Sequence, residues 1–371
     1  MSWIVLLLVA GALWLSYANG ANDNFKGVAT LFGTGTTDYR RALTWATATT
    51  FLGSVASVFI ASALLSTFSG KGIVSDAALS EAGFPVAVGL GAAATIMCAT
   101  RLGIPVSTTH ALVGALVGAG WVAPGAGLDL AVLGGTFVLP LLLSPFAALA
   151  LTMALYGVFR AARSKLGVAP ADCLCLGADP ELVEGMRFSR EAAPALLAVA
   201  PAVSVGTAAE CGQKSAMAVW TAQGVLDRAH FLSAGAVGFA RGLNDTPKIA
   251  ALLLAAPVLT GTTGVLLAGL AIALGGLLSA RRVAETMSHK ITGMNHGQGF
   301  AANAVTALLV IFASRFGLPV STTHVSCGSL FGIGLARGGA RWRVILSILL
   351  AWITTLPLAA LLAAAIFLTT R

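Results

Sequence analysis

The sequence predicts an all-α polytopic membrane protein, built as two inverted-topology repeats with broken helices and re-entrant helical hairpins. Three observations carry that prediction. Of the 371 residues, 57% are hydrophobic and only 10% charged, with a mean hydropathy of +0.89, whereas a soluble protein carries roughly 25% charged residues. Runs such as 132–159 and 342–370 exceed the ~20 apolar residues that cross a bilayer core of about 30 Å. Finally, GIPVSTTH at 103–110 returns 214 positions later as GLPVSTTH at 317–324.

Along the first half, apolar segments fall at 2–17 and 24–34 (broken at ANGAND), then 42–66, 84–100, 104–122 and 129–159. The opening MSWIVLLLVAG resembles a secretory signal but lacks a basic leading region, so it reads as an uncleaved first span. Residues 160–190 carry five positive charges and several acids and read as the joint between halves. Later segments lie at 192–208, 231–257 (broken at GLND), 261–280, 298–314, 319–336 and 342–369. The expected division is an N-terminal transmembrane repeat over 1–159, a cytoplasmic linker with a short helical segment over 160–230, and a C-terminal repeat over 231–371. The 43 glycines are spread through the apolar segments, which suits close helix packing.

The charge pattern sets localisation and excludes one partner class. The net charge is +8, yet Arg40, Arg41, Arg160, Arg163, Lys165, Arg187, Arg190, Arg281, Arg282, Lys290, Arg337, Arg341 and Arg343 all sit between apolar segments. They read as cytoplasmic loop charges, with the chain multi-pass in the cell inner membrane and the lipid bilayer as its partner. No basic stretch interleaved with aromatics appears, so nucleic acid is not expected. With Arg40–Arg41 and Arg281–Arg282 both inside, and a short joint near 257–261 outside, the two copies run in opposite directions. The cysteines are scattered, with Cys98 and Cys327 in apolar segments and Cys173–Cys175 a lone CxC. A metal site needs about four ligands at recurring spacing, so no metal and no cofactor are expected.

The repeats extend beyond the hairpins. RLGIPVSTTHALVGALVGAG at 101–120 and RFGLPVSTTHVSCGSLFGIG at 315–334 share 12 of 20 positions, and GANDNFKGVATL at 20–31 answers GLNDTPKIAALL at 242–253. Pro105 and Pro319 each interrupt an apolar run and place Ser107-Thr108-Thr109 and Ser321-Thr322-Thr323 at the first turn of a new half-helix. Free N–H groups, hydroxyls and the positive dipole end then converge into an anion site. Asn22-Asp23 and Asn244-Asp245 are polar and ionisable residues in membrane segments, hence functional candidates. Paired broken helices meeting at mid-membrane are the plan of secondary transporters.

A single Ser-Thr-Thr could instead satisfy its own helix, and a single Asn-Asp could be a cap; duplication in register favours a binding site with one wall from each half. His110 and His324 orient a hydroxyl, accept protons or fill space. Arg101 and Arg315 snorkel to the interface or attract anions. Two other classes compete. A membrane enzyme acting on a phosphate ester would need a metal cluster or an activated nucleophile, and a passive anion channel would need a continuous polar pore. Discrete paired knots fit neither, so no catalytic residue is expected.

These residues resemble the inorganic phosphate transporter (PiT) family, in GAND at 20–23, GLND at 242–245 and both PVSTTH hairpins. The resemblance covers most of the chain except about 160–230. It implies a secondary transporter of a tetrahedral oxyanion, phosphate first and sulfate second, with no enzyme activity, and a homodimer is entertained. By position, Ser107, Thr108, Thr109, Ser321, Thr322 and Thr323 would hold the anion, while Asn22, Asp23, Asn244 and Asp245 would line the same centre. In relatives the latter help hold coupling cations. Here Lys26 and Lys248 stand where the family pattern places Asn, and acidic positions of some relatives align with Thr50 and Asn303. Each Lys either pairs with its Asp at i,i+3 or contacts the anion. In both cases its charge occupies the place of a cation and argues for proton coupling or exchange rather than sodium.

Overall fold

A computed structural model describes residues 3–125, 127–177, 202–213, 216–256 and 259–370. It divides into two units, 1–156 with 230–371, and 157–229.

In the first unit, helix α1 (Trp3–Asp23) leads through a 3-10 turn (Asn24–Gly27) into the short α2 (Ala29–Gly33). Then come α3 (Tyr39–Ile60), α4 (Gly83–Leu102), α5 (Thr108–Val122) and α6 (Leu139–Leu166). The second half supplies α7 (Ala222–Leu253), α8 (Gly261–Ser279), α9 (His296–Arg315), α10 (Thr322–Arg337) and α11 (Trp342–Thr370). Among the described residues seven helices are long and apolar enough to cross a membrane. Helix α1 packs on α4 and α8, and α11 packs on α4 and α5.

Close approach of these helices depends on absent side chains. A Cβ on Gly20 would sit 1.9 Å from the Ile272 carbonyl oxygen, and one on Gly242 would sit 2.0 Å from that of Thr50. The first Gly of each Asn-Asp motif therefore lets α1 meet α8 and α7 meet α3, which fixes both motifs in the core.

The helix breaks differ from expectation. Helix α1 runs unbroken through ANGAND and yields only after Asp23, where the winding tightens to 3-10. Asn24 and Gly27 are weak helix formers, and the Gly27 backbone lies against Gly238. Helix α7 does not break at GLND at all, despite Pro247 within it. A proline in a buried membrane helix is tolerated where neighbours re-satisfy the freed backbone groups.

Both hairpins form as the punctuation dictates. Gly103 (φ 71°) ends α4 and Gly317 (φ 67°) follows α9. In each, the next N–H reaches back to close the helix, Ile104 to the Ala99 carbonyl and Leu318 to that of Ala313. Ser107 then caps α5 and Ser321 caps α10, accepting from the N–H of His110 at 3.1 Å and of His324 at 3.2 Å.

The second unit adds strands to the short helical segment expected within 160–230. It holds an antiparallel three-stranded sheet of order β2-β1-β3, from Asp172–Gly177 (β1), Ala202–Thr207 (β2) and Ala216–Thr221 (β3), with a short helix at Ala208–Gln213. Residues 202–207, within the apolar segment 192–208, are thus a strand; six-residue apolar runs do not distinguish strand from buried helix. Position 208 opens the short helix, and 192–201 lie outside the described residues, as do Arg187, Arg190 and position 257. Cys175 is disulfide-bonded to Cys211, so these two are not free thiols, and Cys173 is buried beside them.

Candidate functional site

The four sequence motifs meet at one buried centre. Asp23 is ion-paired to Lys26 from the same turn, and Asp245 lies 3.8 Å from Lys248. Each lysine then spans the two halves in the same way. Lys26 Nζ donates to the Val106 carbonyl of its own hairpin at 3.0 Å and to Thr323 Oγ1 of the other at 2.6 Å. Lys248 Nζ donates to the Val320 carbonyl at 2.6 Å and to Thr109 Oγ1 at 2.9 Å. Those threonines donate in turn, Thr323 to Val106 O at 2.7 Å and Thr109 to Val320 O at 3.3 Å.

This pattern resolves a local problem. The stretches between helices leave backbone groups without helical partners, which is costly inside a bilayer. Asn22 donates to the Ile104 carbonyl at 3.0 Å and accepts from Val106 N–H at 3.1 Å; it also reaches Thr100 at 2.9 Å. Asn244 donates to Val320 O at 3.3 Å and accepts from Ser314 Oγ at 3.2 Å. Thr100 and Ser314 occupy corresponding repeat positions, one before each Arg. The Asn of each motif thus holds the broken backbone of its own hairpin.

Thr108 and Thr322 complete the approximate symmetry. Their hydroxyls donate to Asp23 Oδ2 at 3.2 Å and Asp245 Oδ2 at 3.3 Å. Ser107 and Ser321 point back to cap their own helices, so within the triplets the serines shape the turns and the threonines face the charges.

Two residues that the motif reading missed break the symmetry at its centre. Asn19 and Arg241 occupy equivalent positions of the two repeats, four residues before each Asp. Asn19 Nδ2 lies 3.1 Å from Asp23 Oδ2, 3.2 Å from Asp245 Oδ2 and 2.8 Å from Thr108 Oγ1, joining both carboxylates. Arg241 is 1% exposed. It donates to Asn19 Oδ1 at 2.7 Å and to Asn24 Oδ1 and Thr50 Oγ1 at 3.1 Å, with Nε 3.8 Å from Asp245. A charge within the apolar run 231–257 was the signal available. The repeat does not mark this position, because its two copies differ, Asn in one and Arg in the other.

The electrostatics follow directly. Lys26, Lys248 and Arg241 stand against Asp23 and Asp245, all five buried, so the centre carries one positive charge beyond its carboxylates. An uncompensated charge in an apolar interior is expensive. Such a centre fits an anion.

The remaining candidates lie apart. Arg101 is exposed and lines a cavity of about 1000 Å³ with Arg281, Arg282 and Lys290. Arg315 is exposed beside Phe312 and Phe316 in an apolar groove. His110 and His324 pack against each other, ring centroids 4.4 Å apart, and touch none of the charges above by hydrogen bond. Thr50 accepts from Arg241, whereas Asn303 donates to Thr30 at 2.8 Å.

Known proteins share this chain's pattern over nearly its whole length. The model of the phosphate transporter family matches residues 19–363. A protein named as a phosphate permease in Pyrococcus abyssi is 28% identical, over 98% of this chain and 97% of its own length. Inorganic phosphate transporter 2-1, chloroplastic, of Arabidopsis thaliana is 28% identical, over 98% of this chain and 71% of that one. A solved structure described as the sodium-dependent phosphate transporter superposes with a TM-score of 0.75 at 24% identity, covering 99% of both chains, which shows the same fold.

Proposed function

The chain belongs to the phosphate transporter family, and from that premise we propose that it carries phosphate as an anion compensated by its own lysines rather than by sodium ions. One observation supports this reading above the others. Lys26 Nζ sits among the Asn22 amide oxygen, an Asp23 carboxylate oxygen, the Val106 carbonyl and the Thr323 hydroxyl. A small hard cation prefers such a shell of oxygens. With an ammonium already there, a sodium ion a few ångströms away meets a repulsion of about 4 kcal/mol at an effective dielectric near 20.

In this reading Thr108, Thr109, Thr322 and Thr323 exchange some of their present internal bonds for phosphate oxygens, while Asn22 and Asn244 keep the hairpins in register. Ser107 and Ser321 contribute indirectly, by capping the helices that carry these threonines. The halves, oppositely oriented by their loop charges, expose the centre to each side of the inner membrane in turn. Drive comes from protons or exchange.

The single excess positive charge favours a monovalent substrate. Phosphate offers one near neutrality, with a proton that Asp23 or Asp245 can accept, whereas sulfate stays divalent and has no proton to donate. Phosphate is therefore the preferred cargo and sulfate the weaker competitor. Radiolabelled phosphate and sulfate uptake into proteoliposomes, with pH and sodium gradients imposed separately, tests the reading. Phosphate accumulation without sodium, driven by a pH gradient or by exchange, supports it; accumulation that needs the sodium gradient, a passive leak or chemical conversion of the substrate refutes it.

A further inference from the structure

The cavity of about 1000 Å³ beside the first hairpin turn draws its walls from three places. Trp14 and Tyr17 of α1 form one, the end of α4 with Gly103 a second, and residues between 278 and 290 of the other half the third. The halves already touch along its edge. Arg282 Nη1 donates to the Arg101 carbonyl at 2.5 Å, and a Cβ on Gly103 would sit 3.2 Å from the Arg282 carbonyl oxygen. Tyr17 and Ser279 share a hydrogen bond of 2.7 Å.

The lining is one-sided in charge. Arg101, Arg281, Arg282 and Lys290 stand against the carboxylate of Glu285. That carboxylate lies 3.7 Å from Arg281, and among the described residues no carboxylate pairs with Arg101, Arg282 or Lys290. Three cations therefore surround one space without a counter-charge. Beside them the walls are apolar and open: Leu102 is 74% exposed, Leu278 73% and Trp14 39%. In a chain that spans a bilayer, such side chains meet lipid tails. Arg315, the repeat counterpart of Arg101, shows the contrast, since its groove is lined by Phe312, Phe316 and aliphatic residues with no second cation.

We propose that this cavity holds an anionic phospholipid, its headgroup phosphate among Arg101, Arg282 and Lys290 and an acyl chain along Leu102, Leu278 and Trp14. The site is separate from the buried centre and does not depend on how transport is coupled. Free phosphate offers the same charge, but a space of this size takes a larger molecule, and apolar walls give a small hydrated ion nothing. Arg281 and Arg282 read as cytoplasmic by their loop position, the side on which basic pockets between membrane helices take anionic headgroups. Arg101 belongs to the first half, Arg282 and Lys290 to the second, so the headgroup fastens the halves together at the hairpin turn. Thr100 lines the same cavity and accepts from Asn22 at 2.9 Å, so this clasp adjoins the buried centre.

Trp14 provides the reporter. The full chain, delipidated in a nonionic detergent, is titrated with phosphatidylglycerol or phosphatidylcholine whose acyl chains are brominated and quench nearby indoles. The difference between each protein and its Trp14→Phe form isolates the Trp14 signal among the seven tryptophans. Phosphatidylglycerol should quench Trp14 at concentrations at least about tenfold below phosphatidylcholine. Arg101→Gln with Lys290→Gln removes two exposed cations and should raise the phosphatidylglycerol concentration required by about fivefold per charge. Arg315→Gln should leave it unchanged. Equal quenching by the two lipids, an unchanged titration in the double variant, or an equal loss in Arg315→Gln overturns the proposal. Inorganic phosphate, added at constant ionic strength, separates the two sources of the headgroup chemistry. Quenching that persists supports the lipid, whereas its relief by phosphate makes the cavity a site for the free ion and overturns the lipid assignment.

Discussion

The guanidinium of Arg241 holds Asn19, Asn24 and Thr50 while standing 3.8 Å from Asp245. Its loss removes three hydrogen bonds and the one charge by which the buried cations exceed the carboxylates. A hydrogen bond to a charged group contributes about 1.5–3 kcal/mol, so Arg241→Gln is expected to weaken phosphate binding at least about tenfold, read by calorimetry on the purified protein. Arg241→Lys, which keeps the charge, should lose less; equal losses would mean that shape rather than charge is what the position supplies. The hairpin triplets divide along the same lines. Ser107→Ala and Ser321→Ala each delete an N-cap and should cost about 1 kcal/mol of stability, visible as a lowered unfolding temperature. Thr109→Val and Thr323→Val remove the hydroxyls that receive Lys248 and Lys26, and should lower phosphate affinity by about tenfold with a smaller change in unfolding. The reverse order of effects would exchange the roles assigned to serine and threonine.

At the scale of elements, the hairpins were legible because each feature has a one-residue signature. Gly103 and Gly317 end a helix, Pro105 and Pro319 interrupt the run, and Ser107 and Ser321 begin the next helix. The breaks near the Asn-Asp motifs were not legible. Pro247 sits in the helix that stays whole, whereas Phe25 at the matching position belongs to the 3-10 turn, flanked by the weak helix formers Asn24 and Gly27 and packed against α7 at Gly238. The sheet in 157–229 was missed for a related reason, since runs such as VSVGT and AMAVWT are too short to show a period. Helix contacts yield a direct prediction. Gly20→Ala or Gly242→Ala would force a methyl onto a backbone carbonyl, and overpacking of this kind costs typically 1–3 kcal/mol. Either should lower the unfolding temperature in detergent or abolish folding; an unchanged temperature would show that the helices can move apart freely there.

For the whole molecule, duplication was the most informative signal. It pointed to one neighbourhood for GAND, GLND and both PVSTTH segments, and these do adjoin in the fold. What it could not supply was the crossing of partners, with Lys26 on Thr323 and Lys248 on Thr109, since internal similarity does not say which copy faces which. Nor could it flag Asn19 and Arg241, which matter because they differ. The crossed lysines also carry the central claim, that fixed ammonium groups stand in for mobile cations. Lys26→Asn with Lys248→Asn should accordingly lose phosphate affinity or acquire some dependence on sodium. The most direct measurement needs no variant: initial rates of radiolabelled phosphate uptake into proteoliposomes, with sodium fully replaced by potassium or choline at constant pH. The account predicts unchanged rates in all three media, and a collapse of uptake when sodium is withdrawn would contradict it.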